Sequence, residues 1–398
     1  MPSFPFSRRV PSPREPNALG RALAEARAAG TRVINLAESN PTRVGATLPG
    51  GDILPALARP GCLAYDPDPR GLPSARAAVA GWYASCGLTV DPSDIFLSAS
   101  TSEAYGWLFK LLADPGDTVL VPKPGYPLFE YLAGLEGVEA VPYLLEYQHP
   151  RGWRIDLDTL ESALRSKRPR AVVLIHPNNP TGSYVDPGER PRILGLCRAA
   201  GAAVIADEVF LPYALEDDPE TSFAGEDETP CFVLNGLSKL LGLPQMKLGW
   251  IVLAGPRVYR EEGAARLEIV ADTYLSTGAP VLHAAPELLP RAPGFIRELR
   301  GRLSANLALL RGILEREGSP YRVLRCSAGW TAVLEVPRVA SEEDLALGLL
   351  REEGVFVHPG YFFDFPREAF LTVSLLPGPE DFREGVERLR RYLDRRVV

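Results

Sequence analysis

Three stretches of this sequence decide its fold: AVVLIHPNNPTG at residues 171–182, AVIADEV at residues 203–209 and CFVLNGLSK at residues 231–239. Each opens with four or five apolar residues, rich in valine, isoleucine and leucine, and then turns polar. Short apolar runs of this kind are typical of strands buried on both faces of a parallel sheet. Parallel strands end at one edge, so the polar residues are expected to meet there, where such sheets bind ligands.

The same alternation of short strands and helices continues on both sides of these stretches. Helices are predicted at 15–29, 74–86, 102–112, from 127, at 158–166 and at 187–200, and strands at 33–36, 94–98, 118–121, 138–142, 171–175, 203–206, 231–235 and 248–253. This pattern predicts an α/β fold in which a mainly parallel sheet is covered by helices on both faces.

The C-terminal part alternates less regularly and predicts a smaller α+β domain. Its expected elements are a long helix at 295–317, strands near 323 and 333, a helix at 342–352, a strand at 370–375 and a helix at 380–394. The prolines among the first 14 residues predict an extended arm. We therefore divide the chain into an N-terminal arm and helix packed on the small domain, a large domain and a small C-terminal domain, at 1–45, 46–290 and 291–398.

The composition argues against several classes of function. The chain has 398 residues and a net charge of −7, which is unfavourable for a nucleic-acid partner. No apolar run approaches the roughly 18 residues of a membrane span, and the first residues lack the apolar segment of a signal peptide, so a cytoplasmic protein is expected. The five cysteines are scattered without a C-x-x-C pair and predict free thiols. The four histidines lack metal-ligand spacing, so no metal site is expected.

The segment Ser98–Ala104, which reads SASTSEA, places small hydroxyl residues between a predicted strand and a predicted helix. Free backbone N–H groups at a helix N-terminus attract anions, so this segment is a candidate phosphate cradle. The alternative is plain helix capping by Thr101 or Ser102.

Three further segments follow buried strands and carry polar side chains, at Asn179, Asp207 and Lys239. Taken singly, each has an ordinary structural explanation: a turn, a capping carboxylate and a lysine that reaches solvent. Together, 28 and 32 residues apart, they bring an amine and a carboxylate to one edge, beside the candidate cradle. An aldehyde cofactor with a phosphate tail and a pyridine ring requires this combination.

Here the sequence resembles the pyridoxal 5′-phosphate (PLP)-dependent class I/II aminotransferases, of fold-type I and the aspartate aminotransferase superfamily. The resemblance runs from about Val33 to the C-terminus. It is carried by five motifs in order: YDPDPRGLP at 65–73, PGYP at 124–127, NNPTG at 178–182, DEV at 207–209, and SK at 238–239 followed by KLG at 247–249. It implies a large domain with a seven-stranded type of sheet, a smaller C-terminal domain and a homodimer with shared active sites.

The resemblance also implies a role for each matching residue. Lys239 would be the catalytic residue, forming a Schiff base with PLP and then moving a proton. Asp207 would pair with the ring nitrogen, Asn179 with the ring oxygen O3′, and Tyr126 would stack on the ring. The phosphate would be bound by Thr101, Ser102, Ser238 and Lys247, the last in place of the usual arginine, and by Tyr65 and Thr277 of the partner subunit.

Three departures from the family pattern concern the ring and the substrate. Phe210 stands where the family usually has a tyrosine that donates to O3′, which predicts a higher Schiff-base pKa; Tyr213, further along, is a candidate replacement donor. Thr372 stands where an arginine usually binds the substrate carboxylate. Arg43 is a candidate replacement or a solvated loop residue. Ser39 stands where a glycine often allows close approach of the substrate.

The predicted function is transfer of an amino group between an amino acid and a 2-oxo acid through a Lys239 Schiff base with PLP. One alternative is a PLP-dependent lyase or specialised biosynthetic enzyme on the same scaffold, because these reactions share their first steps. Another is a PLP-fold protein that binds without catalysis. The small-molecule substrates are the only partners expected beyond a second copy of the chain; neither nucleic acid nor a membrane is expected.

Overall fold

In a computed structural model of the chain, the structure describes residues 6–12, 15–46, 51–216 and 220–397. The predicted arm lies partly outside these ranges. Within them the strands are β1 (Ile34–Asn35), β2 (Ile95–Ser98), β3 (Thr118–Lys123), β4 (Glu139–Gln148), β5 (Gly152–Ile155), β6 (Ala171–Ile175), β7 (Ala203–Asp207), β8 (Cys231–Gly236), β9 (Gly249–Ala254), β10 (Arg322–Val323), β11 (Thr331–Glu335), β12 (Val355–Phe356), β13 (His358–Pro359) and β14 (Phe370–Ser374).

The α-helices of the described residues alternate with these strands. They are α1 (Ala18–Ala28), α2 (Leu54–Leu57), α3 (Pro73–Ser85), α4 (Thr101–Leu112), α5 (Phe129–Leu135), α6 (Leu157–Lys167), α7 (Arg190–Ala200), α8 (Leu237–Leu240), α9 (Arg257–Tyr274), α10 (Ala279–Leu288), α11 (Ala292–Leu314), α12 (Glu342–Glu353) and α13 (Pro379–Val397). None of them is long and apolar enough to cross a lipid bilayer.

The large sheet has the strand order β2-β9-β8-β7-β6-β3-β4-β5. The five strands β8, β7, β6, β3 and β4 run parallel, while β9 pairs antiparallel with both β2 and β8. This confirms the α/β class and the large sheet. The eighth strand, β5, was not predicted; it forms an antiparallel hairpin with β4, so the sheet is mixed.

The apolar residues of the central strands divide between the two faces of the sheet. On β6, Val172 and Leu174 belong to one buried cluster, while Ala171, Val173 and Ile175 belong to the other. The alternation follows from the period of two in a strand, and both faces are apolar because helices cover both. The register pairs Ile175 with Asp207, so the strands β6 and β7 end side by side.

A second sheet, of order β10-β11-β14-β13, is antiparallel and lies in the C-terminal part of the chain. The N-terminal segment joins this region, because β1 pairs parallel with β12 and the Ser374 N–H donates to the carbonyl of Leu36. The proposed domain limits at 45/46 and 290/291 stay a prediction.

The two helices α9 and α10 were not predicted from the sequence. Helix α9 buries only a narrow stripe, at Ala264, Leu267 and Ala271, and its remaining surface is largely charged. Helix α10 contains Pro286, which is unfavourable inside a helix. Tertiary packing overrides both local signals, since α9 lies against α4 and α10 against α3.

Candidate active site

A cavity of about 340 Å³ lies between the ends of the parallel strands and the face of the small sheet. The wall from the large sheet carries the polar residues that follow β6, β7 and β8, together with the first turn of α4. The opposite wall carries side chains of β13 and β14 and the loop that follows β1. The structure brings these predicted site residues together here: Ser39, Thr101, Ser102, Tyr126, Asn179, Asp207, Ser238, Lys239 and Thr372.

Asp207 is the last residue of β7 and lies on the cavity wall. The Tyr105 hydroxyl donates to its Oδ2 at 3.0 Å, and the Val209 N–H donates to its Oδ1 at 3.2 Å. Burial raises the pKa of Asp207 to about 6, although both hydrogen bonds and the Lys239 amine oppose the shift. The carboxylate is therefore poised to hold a proton or pair with a cationic group.

The neighbouring acid, Glu208, faces away from the cavity and is fully buried. It accepts hydrogen bonds from the Ser222 hydroxyl and the Phe223 N–H, both at 2.6 Å. Burial raises the pKa of Glu208 to about 7. The two acids of the DEV motif thus differ in role: Asp207 serves the cavity, and Glu208 anchors the segment at 222–223.

Lys239 lies in the short helix α8, directly after β8. Its Nζ is 5.5 Å from the centre of the Phe210 ring and 5.0 Å from that of Trp330. Burial lowers the pKa of Lys239 to about 8, and the Asp207 carboxylate partly opposes this. At pH 7 about a tenth of this amine is therefore uncharged, far more than for a lysine with the ordinary pKa, and the uncharged form is the one that a nucleophile requires.

The first turn of α4 supplies the candidate phosphate cradle. Its N-cap is Ser100, whose hydroxyl accepts from the Glu103 N–H at 3.1 Å, while the Glu103 carboxylate accepts from the Ala99 N–H at 2.7 Å. This arrangement resembles a capping box, except that the carboxylate accepts from the residue before the N-cap, and it corrects the alternative that Thr101 or Ser102 caps the helix. Both of those hydroxyls line the cavity instead, at the positive end of the helix.

Gly249 explains why the KLG motif needs a glycine at the start of β9. A Cβ at this position would lie 3.0 Å from the carbonyl carbon of Ser100 and 3.0 Å from the N atom of Thr101. Contacts this short are tighter than nine in ten real Cβ contacts, and both neighbours are backbone atoms, so any other residue would push β9 and the first turn of α4 apart by a few tenths of an ångström. The cavity keeps its shape at the cradle for this reason.

The NNPTG motif divides its two asparagines between structure and cavity. Asn178 is buried, and its Nδ2 donates to the Pro124 carbonyl at 3.1 Å and to the Thr181 hydroxyl at 2.8 Å. Asn179 lines the cavity. The motif therefore holds its own turn against the PGYP segment, which brings Tyr126 to the same wall.

Four of the predicted binding residues lie outside the cavity. Lys247 is exposed and does not line it. Arg43 has a 69% exposed side chain, 3.9 Å from the Glu38 carboxylate. Tyr65 is 84% exposed, and it shares a separate surface depression with Thr277.

Tyr213 does not replace the hydroxyl that Phe210 lacks. Its hydroxyl donates to the backbone carbonyl of Lys239 at 2.6 Å, and the residue is absent from the cavity wall. Phe210 lines the cavity with its ring against Trp330, the centroids 5.3 Å apart. Tyr213 instead fixes the backbone that carries Lys239.

Several residues of the cavity escaped the sequence analysis, among them Tyr105, Trp330 and His358. Tyr105 could have been found, because it lies one helical turn after Thr101 and so on the same face of α4. Trp330 and His358 come from the C-terminal part, where no motif marks them. Only the packing of the small sheet against the large one places them beside Lys239.

The donor set fits PLP. The candidate phosphate cradle is formed by the N-terminus of α4 together with three hydroxyl residues, Thr101, Ser102 and Ser238. A Cβ at position 249 would press against the backbone of its first turn. A carboxylate with a raised pKa and an amine with a lowered pKa lie on the same wall. No group of three or more His, Cys, Asp or Glu among the described residues is placed to hold a metal ion.

Comparisons with known proteins point to one family. Residues 31–389 match the profile of the family described as aminotransferase class I and II. The chain is 30% identical to an alanine aminotransferase of Mycobacterium tuberculosis, over 93% of this chain and 87% of that protein. It is 27% identical to a glutamate-pyruvate aminotransferase of Haemophilus influenzae, over 92% and 91%. An alanine aminotransferase structure from Pyrococcus furiosus has the same fold, with a TM-score of 0.88, 24% identity and coverage of 98% and 100%.

Proposed function

This chain belongs to the class I and II aminotransferases, enzymes that move amino groups with PLP, and we propose that it exchanges them between alanine and glutamate and the matching 2-oxo acids. The observation that carries the catalytic assignment is the pairing of Lys239 and Asp207 on one cavity wall, with pKa values of about 8 and about 6. The relatives that are named for alanine and for glutamate and pyruvate support the choice of substrates.

PLP supplies an aldehyde that condenses with amines and a ring that accepts electrons. Lys239 Nζ would hold the cofactor in the resting enzyme, and as a free amine it would accept the proton from the substrate Cα. Its lowered pKa suits this task, because a base works best when its pKa is near the working pH. The Tyr213 hydrogen bond to the Lys239 carbonyl keeps the backbone in place while the side chain moves.

Asp207 keeps a proton on the ring nitrogen. Its carboxylate is oriented by the Tyr105 hydroxyl and the Val209 N–H, so one geometry is favoured. The residues that would bind the phosphate are Thr101, Ser102 and Ser238; Asn179 would donate to O3′, and Tyr126 would pack on the ring. Lys247 is exposed and would reach the phosphate only by a change of side-chain position.

The enzyme is a cytoplasmic homodimer with shared active sites in this proposal. Leu63 is 93% exposed and Tyr65 84% exposed, which are costly exposures for large apolar side chains. Thr277, in the same surface depression as Tyr65, has a buried hydroxyl without a hydrogen-bond partner among the described residues. A partner subunit that covers this depression would give Tyr65 and Thr277 a role at the partner's phosphate.

The dimer is tested by subunit complementation. Tyr65→Ala and Lys239→Ala are each expected to lower activity strongly. Co-expressed hybrids with one copy of each should regain activity, since one of the two shared sites is then intact. Hybrids that stay as inactive as the parents would exclude shared sites.

The transfer reaction is tested by incubating the PLP-loaded enzyme with L-alanine or L-glutamate. We expect pyruvate or 2-oxoglutarate to form in an amount equal to the pyridoxamine phosphate, and addition of the second 2-oxo acid to restore PLP. A parallel incubation with L-serine, whose Cβ hydroxyl can leave, tests the lyase alternative, which would release pyruvate and ammonia while PLP stays unchanged. Binding of PLP with no product from any donor would favour the non-catalytic protein.

A further inference from the structure

The cavity binds a carboxylate substrate without offering it an arginine. Among the described residues that line it, only Lys239 and His358 can carry a positive charge. Lys239 is committed to the cofactor and to proton movement, and Asp207 repels a second carboxylate. Burying an unpaired carboxylate costs several kcal/mol, so another donor group must receive it. This argument rests on the proposed function, because it takes the substrate to be an amino acid.

His358 and Thr372 face each other across two strands of the small sheet. The register of β13 and β14 pairs His358 directly with Thr372. Directly opposed residues project to the same face, with Cβ atoms about 5 Å apart. Both line the cavity, so the imidazole and the hydroxyl share one patch of its wall.

The side chain of Thr372 is held in place but weakly engaged. Thr372 is 2% exposed, and its hydroxyl donates to the His358 carbonyl at 3.5 Å, the long limit of a hydrogen bond. Strand β14 is also held two residues further along, where the Ser374 hydroxyl donates to the Glu38 carbonyl at 2.6 Å. The hydroxyl of Thr372 is thus free to exchange a poor acceptor for a better one.

The His358 ring is fixed by aromatic neighbours rather than by hydrogen bonds. The rings of Phe356, Phe362 and Phe363 lie 5.5, 5.4 and 6.1 Å from its centre. Neither ring nitrogen has a hydrogen-bond partner in the part of the chain that the structure describes. The ring is therefore held in one orientation on the cavity wall, with an N–H group that is available to donate to a ligand.

We propose that His358 and Thr372 together bind the substrate carboxylate, one donor for each oxygen, in place of the guanidinium that the family uses. The rival candidate, Arg43, is mostly exposed, lies beside Glu38 and does not line the cavity. In this proposal the carboxylate site is retained, but two shorter hydrogen-bond donors, the His358 ring and the Thr372 hydroxyl, take the place of the long charged arginine side chain.

The kinetic test compares His358→Leu and Thr372→Val with the wild-type PLP-loaded enzyme, using L-alanine. Loss of a hydrogen bond to a charged group is expected to raise KM about tenfold or more in each variant, with a smaller change in kcat. Thr372→Val keeps the shape of the buried side chain, which guards against a folding defect. His149→Gln, at an exposed histidine outside the cavity, is the matched control. Unchanged KM in both cavity variants would overturn the proposal while leaving the transfer reaction established.

A binding test works even without turnover. The chain has four histidines, so ring-labelled histidine gives few NMR signals. Propionate, which has the carboxylate but no amine, should shift one signal of the PLP-loaded enzyme, and His358→Leu should remove that signal. Propylamine at the same concentration should leave it in place. A propionate response that survives in His358→Leu would place the carboxylate elsewhere, whatever the reaction proves to be.

Discussion

The two ends of the cavity differ in how much of their polar capacity is already used. At the cofactor end, Asp207 accepts two hydrogen bonds and Lys239 packs against two aromatic rings. At the substrate end, the His358 ring nitrogens have no partner among the described residues, and the Thr372 hydroxyl has only a long contact. The two reactive groups at the cofactor end, Asp207 and Lys239, are thus oriented before any ligand arrives, whereas His358 and Thr372 keep their hydrogen-bond donors for the ligand.

This difference shows where the chain has kept the family pattern and where it has changed. The cofactor is the same for every reaction of the family, so its binding groups are constrained by one chemistry. The substrate end must fit one amino acid and one 2-oxo acid, and we propose that here a threonine and a histidine take the place of the usual arginine. Substitutions at the cofactor end should therefore lower the activity with all amino-acid substrates alike, and substitutions at the substrate end should lower it unequally.

The largest expected effect comes from Lys239→Ala. Without its amine the enzyme lacks both the covalent anchor and the base for the Cα proton, so kcat should fall by at least about 10³-fold for every donor. Single-turnover formation of pyridoxamine phosphate measures this. If alanine kept its rate while glutamate lost it, Lys239 would belong to substrate selection rather than to the common chemistry.

Asp207→Asn should have two effects of opposite sign. Its activity should fall about 100-fold for all donors, because a neutral amide does not hold the proton on the ring nitrogen. The PLP-free protein should become more stable at pH 8 by about 1–3 kcal/mol, since burial raises the pKa of Asp207 to about 6 and the ionised form is costly.

The pH dependence gives the sign of that second effect. The pKa of Asp207 is higher in the folded than in the unfolded protein, so its ionisation lowers the free energy of unfolding as the pH rises from about 4 to about 6. The stability gained by replacing it with asparagine should therefore be larger at pH 8 than at pH 5. Urea unfolding of both PLP-free proteins at the two pH values measures it. An equal gain at both would show that ionisation of Asp207 is not its cause.

Glu208→Ala should separate the two neighbouring acids. It leaves the Ser222 hydroxyl and the Phe223 N–H without their acceptor and opens a small void, so the free energy of unfolding should fall by about 2–4 kcal/mol. KM for alanine should stay within about twofold of wild type at a temperature where the variant is folded. Denaturant unfolding and steady-state kinetics together test this. A large change in KM would mean that Glu208 takes part in substrate binding although it does not line the cavity.

Phe210→Tyr should have the smallest effect. A hydroxyl near O3′ stabilises the deprotonated Schiff base between PLP and Lys239. The pKa of this Schiff base, measured from the visible absorbance of the PLP-loaded enzyme, should therefore fall by about one unit. A spectrophotometric pH titration measures it, with Phe362→Tyr at the substrate end as the control. No shift would mean that the Phe210 ring does not lie beside O3′.

The sequence by itself determined the fold class and most of the cofactor end. Asn179, Asp207 and Lys239 lie at or within four residues of the ends of β6, β7 and β8. These parallel strands are neighbours in one sheet and end at the same edge, so the local pattern was sufficient to bring the three residues together. The cap at Ser100 is likewise a local feature, although the sequence analysis assigned it to Thr101 or Ser102, whereas the need for glycine at 249 comes from a contact with residues 100–101 that only the packing of β9 against α4 creates.

Only the tertiary structure decided the substrate end. His358 meets Thr372 through the register of two short antiparallel strands, and that register has no signature in residues 14 positions apart. The same holds for Trp330, and for Arg43 and Tyr65, which the packing leaves outside the cavity. Positions within an element follow from periodicity, but contacts between distant elements depend on how the two sheets pack, which the pattern of a single segment does not contain.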